Sequence, residues 1–179
     1  MADDTFLALL TGSAEVLRPE VALSSDGAPM TPTYERAMTG LRVRMAPAGT
    51  LSDDGLLGRR ESVTHVVYAE PADVRASDRL VLRPETWTLA ADAPAGSDLL
   101  SFGALEAPVE GQCLEVGSGD TMETVTVREV EDGTVYVTPA LTCDHLEGDP
   151  VVAVDRYEVI EVEDVAGAGH HLRLLAREL

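Results

Sequence analysis

The chain has no lysine and no asparagine, one glutamine (Gln112) and one isoleucine (Ile160). All 13 basic residues are therefore arginine, against 32 Asp plus Glu, and the formal net charge is −19. Coulomb repulsion at such a surface excludes a protein that grips nucleic acid or seeks an anionic membrane. The missing Lys, Asn and Ile fit a GC-rich coding sequence. Excess carboxylate also fits work in concentrated salt, where self-repulsion is screened. Only two cysteines occur, Cys113 and Cys143, with no CxxC pair and no disulfide framework. Aromatics are scarce: Tyr34, Tyr68, Tyr136, Tyr157 and Trp87 form no pattern suited to stacking bases. No apolar run approaches the length of a membrane span. The start, MADDTFLALL, is acidic where a targeting segment needs positive charge. The expectation is a soluble protein made in a reducing cytoplasm.

What is present is a patterned apolar fraction of 45% in 179 residues, too much for a disordered chain. The length suits one domain, or one domain with an inserted lobe, and a core that needs no disulfide or structural metal. The charge is uneven. Residues 1–100 hold 9 arginines and 15 carboxylates, and residues 101–179 hold 4 and 17.

Along the chain, 3–23 reads as helical. Asp3 or Asp4 caps a short helix carrying Phe6, Leu7, Leu9 and Leu10. Gly12 and Ser13 break it, and a further turn follows with Val16, Leu17, Val21 and Leu23 on its apolar side, limited by Pro19. SSDGAPMTPT, 24–33, is a loop by composition, and 34–40 is ambiguous. From Leu41 the pattern is β, with Leu41, Val43 and Met45 alternating with Arg42 and Arg44. PAGTLSDDGLLGRR, 47–60, is a long Gly/Asp-rich loop. Further strands are expected at 62–69, 79–83, 112–116, 123–130, 134–138, 151–154, 156–163 and 170–177, while 84–98 is weakly patterned. Asp132-Gly133 signals a tight hairpin turn, and Gly167 and Gly169 supply the permissive backbone of a second reversal. The expected class is mainly β: a small barrel or sandwich with a long loop, an N-terminal helical element and an inserted β module.

Motifs that carry chemistry are weak. No HExxH surrounds His65, His145, His170 or His171, and His65 sits in an alternating strand as a sheet residue. Cys143 and His145, with Cys113, could form a soft-ligand site only if the loop curls tightly; the plainer reading is small buried cysteines. GSGDT, 117–121, lacks the lysine and following helix of a phosphate-cradling loop and reads as a turn. EVEDVAG, 161–167, lacks the oxygen spacing of a calcium loop. No GxSxG elbow is present, and Asp53 and Asp54 sit among polar residues. The expectation is no enzyme, no cofactor and no metal.

The C-terminal stretch DRYEVIEVEDVAGAGHHLRLLARE, 155–178, resembles the end of the head-completion or head–tail joining proteins of tailed viruses, also called stoppers. Tyr157, Val159, Val162, Gly167, His170, Leu172, Leu174 and Arg177 stand where that pattern puts them. LRVRMAPAGTLSDDGLLGRR, 41–60, is similar to the family's opening strand and long Asp/Gly loop, and RASDRLVLR, 75–83, to its step into the middle strands. The resemblance covers about half of the chain. It implies a small β-barrel with a protruding loop; with the pattern reading, the expected division is a helical arm over 1–33, a barrel from 34–98 and 155–179, and an inserted β module over 99–154. That module is longer than the family carries there, and its "H-GdpV" ending is similar to a recurrent module of phage structural proteins.

The same resemblance implies a virion protein at the head–tail interface, forming a homo-oligomeric ring of six or twelve copies. Such a ring stands between the portal–adaptor complex and the tail terminator or tail tube, and packaged DNA passes through without specific binding. The channel-facing loop would comprise Thr50, Leu51, Ser52, Asp53, Asp54, Gly55, Leu56, Leu57, Gly58 and Arg59. Ring contacts would involve Tyr157, Val159, His170, Leu172, Leu174 and Arg177. Two alternatives stay open. One is an adaptor or tail-terminator component of the same machine. The other is a small cytoplasmic metal-dependent enzyme using Cys143, His145 and a distant carboxylate.

Salt dependence follows from the charge. Thermal unfolding followed by circular dichroism should shift upward as KCl is raised past about 1 M, where the Debye length has already fallen to about 3 Å. Equal stability in dilute buffer would count against adaptation to salt.

Overall fold

A computed structural model describes residues 4–48, 63–103, 107–131, 134–164 and 171–179. The chain forms two compact units, Met1–Leu82 with Arg156–Leu179, and Arg83–Asp155. The module expected over 99–154 falls within the second unit, which begins at Arg83.

The first unit is a closed six-stranded barrel. Its strands are β1 (Gly12–Glu20), β2 (Thr33–Pro47), β3 (His65–Ala69), β4 (Arg79–Leu82), β11 (Asp155–Asp164) and β12 (Leu172–Glu178). Their order around the barrel is β1-β2-β3-β12-β11-β4. Alternation places one side chain in two inside. Ala14 and Val16 of β1, Leu41 and Val43 of β2, Val67 and Ala69 of β3, Leu80 of β4, Tyr157 and Val159 of β11, and Leu174 and Ala176 of β12 fill the interior. The barrel closes where Val159 N–H donates to Asp78 O at 2.8 Å and Ser77 N–H donates to Val159 O at 2.7 Å.

The expected N-terminal helical element is overturned. The only α-helix among the described residues is a four-residue turn, α1 (Asp4–Leu7). Gly12–Glu20, read as a broken helix, is β1, paired with β2 along its whole length and with β4 over Ala14–Leu17. Short apolar runs do not separate the two periods, and here tertiary pairing decides. The buried positions of β1 are Ala14 and Val16, two residues apart, which is strand spacing. Gly12 allows close approach to β2, since a Cβ there would lie 3.3 Å from Val43 O. The ambiguous segment 34–40 is the first half of β2.

The second unit is a curled sheet built from β5 (Thr86–Thr88), β6 (Leu99–Ser101), β7 (Cys113–Val116), β8 (Glu123–Glu131), β9 (Thr134–Thr138) and β10 (Pro150–Ala153). The order is β5-β10-β7-β8-β9-β6. Its two edges approach each other where Leu89 bridges Phe102 and Ala90 N–H donates to Ser101 O at 2.9 Å. Leu89, Leu100, Leu114, Val125, Val135 and Val151 lie in its core. The expected hairpin of 123–130 and 134–138 is present as paired β8 and β9, while its Asp132-Gly133 turn lies outside the described residues. β5 and β6 fall in or beside the stretch that lacked pattern. Three-residue strands are too short to show alternation.

The interior of the barrel should set its stability. Leu174 is fully buried, so Leu174→Ala should cost about 2–5 kcal/mol by urea unfolding. Leu146→Ala, at an exposed position, should fall within about 0.5 kcal/mol of wild type.

Candidate functional site

β2 and β3 are neighbours in the barrel, and the residues flanking the segment between them are tied to its strands. Ala48 N–H donates to Thr64 O at 2.8 Å, and Thr64 N–H donates to Ala176 O at 3.0 Å. Thr64 Oγ1 accepts Glu178 N–H at 2.8 Å. Thr64 thus lies against the final residues of β12, Ala176 and Glu178. The channel-loop candidates Thr50 to Arg59 all lie outside the described residues.

The ring-contact candidates divide. Tyr157, Val159 and Leu174 point into the barrel and are buried, and Leu172 is half-buried against the same core. The three buried side chains hold the barrel together and are not available to a neighbour. This corrects the expectation drawn from resemblance, because strand alternation sends them inward. Arg177 is on the outside and pairs with Glu158 across β11 and β12. His170 lies outside the described residues; the neighbouring His171 ring lies 4.5 Å from Phe6 and 6.5 Å from Tyr68. His65, at the start of β3, meets Tyr157 edge-on at 5.0 Å, consistent with a sheet residue.

A feature that sequence reasoning missed is the outer half of the β1–β2 pair. β2 contacts β3 only over Val43–Pro47, and β1 contacts β4 only over Ala14–Leu17. From there β1 and β2 continue paired with each other, Arg18 with Glu35 and Glu20 with Thr33. They end in a turn where Ser24 N–H donates to Ala28 O at 2.8 Å and Gly27, at φ +81°, donates to Ser24 O at 2.9 Å. The Ser-Ser-Asp-Gly run was the available signal.

Polar side chains hold this hairpin at its base. Arg18 reaches Asp78 twice, Nε to Oδ1 at 3.1 Å and an Nη to Oδ2 at 3.0 Å, and donates to Asp73 O at 2.7 Å. Asp78 is 1% exposed and also accepts Arg75 N–H at 2.9 Å, so a buried carboxylate is satisfied from two sides. Arg79 stacks on the Tyr34 ring at 3.6 Å, and Arg36 pairs with Glu15 at 3.1 Å.

In the second unit, the loop after β9 does curl. His145 is fully buried. Its Nε2 lies 2.8 Å from Glu123 Oε1; a carboxylate only accepts, so Nε2 carries the proton. Glu123 also accepts Thr142 N–H at 2.8 Å, Cys143 N–H at 3.1 Å and the Thr142 hydroxyl at 3.0 Å. Burial pushes the Glu123 carboxyl up, but the hydrogen bonds from Thr142, His145 and Cys143 outweigh it and hold it below its ordinary value. Gly117, at φ +84°, packs on the other side of the imidazole, where a Cβ would lie 2.7 Å from Cε1.

The distant carboxylate that Cys143 and His145 lacked in sequence is thus Glu123, yet the arrangement is a clasp. It ties the 141–150 loop to β8 and leaves the imidazole no open face. No group of three or more His, Cys, Asp and Glu able to hold a metal occurs among the described residues. Cys113 and Cys143 form no disulfide and are both partly exposed, where buried cysteines were expected. Compared with protein-family models the chain matches none, and compared with curated proteins it matches none.

Two substitutions test the clasp. Gly117→Ala forces a left-handed residue against a packed ring, and the backbone alone should cost on the order of 1–3 kcal/mol by thermal or urea unfolding. Glu123 stabilises the fold above its ordinary pKa, and that contribution is lost as pH falls through its lower folded value. Glu123→Gln should therefore destabilise at neutral pH and flatten the acid limb of the stability–pH curve. An unchanged acid limb would remove Glu123 from this role.

Proposed function

We propose that the protein is a structural component of the neck of a tailed virus. It forms a head-completion ring between the portal–adaptor complex and the tail, retains packaged DNA and offers the tail its attachment surface. The observation that carries this reading is the joining of two segments far apart in the sequence. The family resemblance rests chiefly on 41–60 and 155–178, and their described strands, part of β2 with β11 and β12, lie in one barrel, linked through β3.

Three further features support it. The residues on either side of the candidate loop, Ala48 and Thr64, are paired by backbone beside the end of β12, which would hold the base of a channel-facing loop firmly. The charge of −19 suits a conduit wall, since like charge discourages adhesion of DNA and leaves it free to slide. The function needs no covalent step; it needs ring closure and loop geometry.

Imaging of particles assembled without the protein tests the proposal. The expected outcome is filled heads that lose DNA and lack tails. Particles with normal DNA retention and normal tails would overturn it.

A further inference from the structure

His145 carries a second ring nitrogen that the clasp does not use. Nδ1 is buried and makes no hydrogen bond, although a buried polar atom normally has a partner. With the ring proton on Nε2, Nδ1 presents a lone pair. It faces another acceptor. Asp149 Oδ2 lies 3.6 Å away, too far for a hydrogen bond, and itself accepts Leu146 N–H at 3.0 Å. The singly protonated ring thus sets a lone pair against a carboxylate. A second proton reverses the sign of that contact, because Nδ1–H would donate to Oδ2. Drawing the two to the distance of a charge-assisted bond takes a movement of about 0.8 Å. The Asp149 side chain is 34% exposed, so its carboxylate is not packed in place.

Charge around the ring favours that proton. Three segments meet at His145. In 89–97, Ala93 exchanges both backbone hydrogen bonds with it, at 2.8 and 2.9 Å. In 117–123, Gly117 covers one side of the ring and Glu123 binds Nε2. Its own loop, 141–150, supplies Asp149. Together these segments contain the carboxylates Asp92, Asp120, Glu123, Asp144, Glu147 and Asp149, and no arginine. Asp92 and Asp144 accept the Glu147 and Ala95 amides, and Asp120 and Glu147 are exposed. Glu123 is held ionised by the donors gathered on it. The other ionisable side chain is the Cys143 thiol, whose amide binds Glu123. Burial opposes a charged imidazole, and a carboxylate at each ring nitrogen opposes the effect of burial. His145 is the one residue of these segments able to supply a counter-charge.

We infer that His145 is a proton-operated latch: a second proton, at Nδ1, draws in Asp149 and fastens the 141–150 loop to β8 and to 89–97, so that the unit Arg83–Asp155 tightens as the medium becomes acidic. The proton comes from solvent and returns to it. The bond it makes is absent from the unfolded chain. Its contribution is therefore present at the acid end of the range in which histidine titrates, and is lost as pH rises through that range. Glu123 acts in the opposite sense at lower pH, through its own carboxyl. The latch is independent of the neck reading.

Trp87, the only tryptophan, lies in β5 of the same unit, so its fluorescence reports unfolding there. Urea unfolding of the full chain, followed at Trp87 from about pH 8 to about pH 6, tests the latch. Wild type is compared with Asp149→Asn, which offers Nδ1 a neutral donor in place of a counter-charge. The control is Asp144→Asn, which alters a loop carboxylate that binds the Ala95 amide. The wild-type unfolding constant should fall about tenfold toward the acid end, the effect of one charge-assisted hydrogen bond. Asp149→Asn should lose most of that fall, and Asp144→Asn should keep it. NMR spectra of the histidine ring nitrogens should show His145 passing from one ring proton to two over the same range. A wild-type constant that stays level or rises would overturn the inference. So would an equal fall in Asp149→Asn, an equal loss in Asp144→Asn, or a His145 ring that keeps a single proton throughout. If Asp149→Asn does not fold, the wild-type curve and the ring spectra decide the matter between them.

Discussion

A six-stranded sheet left open exposes two rows of unpaired backbone groups. The first unit removes both by having β1 pair with β2 on one side and β4 on the other. Every other feature of that unit depends on this closure. It turns the alternating side chains of six strands into one interior, where Val16, Leu41, Val67, Leu80, Val159 and Leu174 meet. It brings the strands β11 and β12 between β3 and β4, so segments far apart in the sequence become neighbours. It also leaves the spare length of β1 and β2 projecting as a ribbon.

Charge is organised on the same frame. The unit Arg83–Asp155 has 2 arginines against 15 carboxylates, whereas the barrel segments hold the other 11 arginines. Several of those arginines act where strands or loops must be held: Arg18 on Asp78, Arg42 on Glu70, Arg173 on Glu163. The exposed pairs contribute little each. Arg18 differs because its partner Asp78 is buried, and removing one member would leave the other unsatisfied. The second unit solves a similar problem with one carboxylate. Glu123 gathers the Thr142 and Cys143 amides, the Thr142 hydroxyl and the His145 ring, and so turns a loop of mixed composition into part of the fold.

Much of the strand content was legible. Leu41, Val43 and Met45 against Arg42 and Arg44 is a half-buried strand on sight, and the Glu123–Glu131 and Thr134–Thr138 hairpin follows from its alternation. β1 was not legible, because Pro19 and the adjacent Val16-Leu17 pair blur its period. β5 and β6 were not, because three residues carry no period. For the candidate site, resemblance located the segments but not the side-chain directions. Tyr157, Val159 and Leu174 match a family pattern because they build its core, so the match says little about surface contacts.

Composition and pattern alone established a β-rich, arginine-only, strongly acidic chain with no strong catalytic motif. Those properties are local or additive, and reading residues one after another suffices. Barrel closure, the pairing of His145 with Glu123 across 22 positions, the burial of Asp78 beneath Arg18 and the projecting hairpin came only with the fold. Each depends on which strands become neighbours. Backbone pairing energy is nearly independent of side-chain identity, so that choice is made by the joint packing of the whole interior and no single segment carries it.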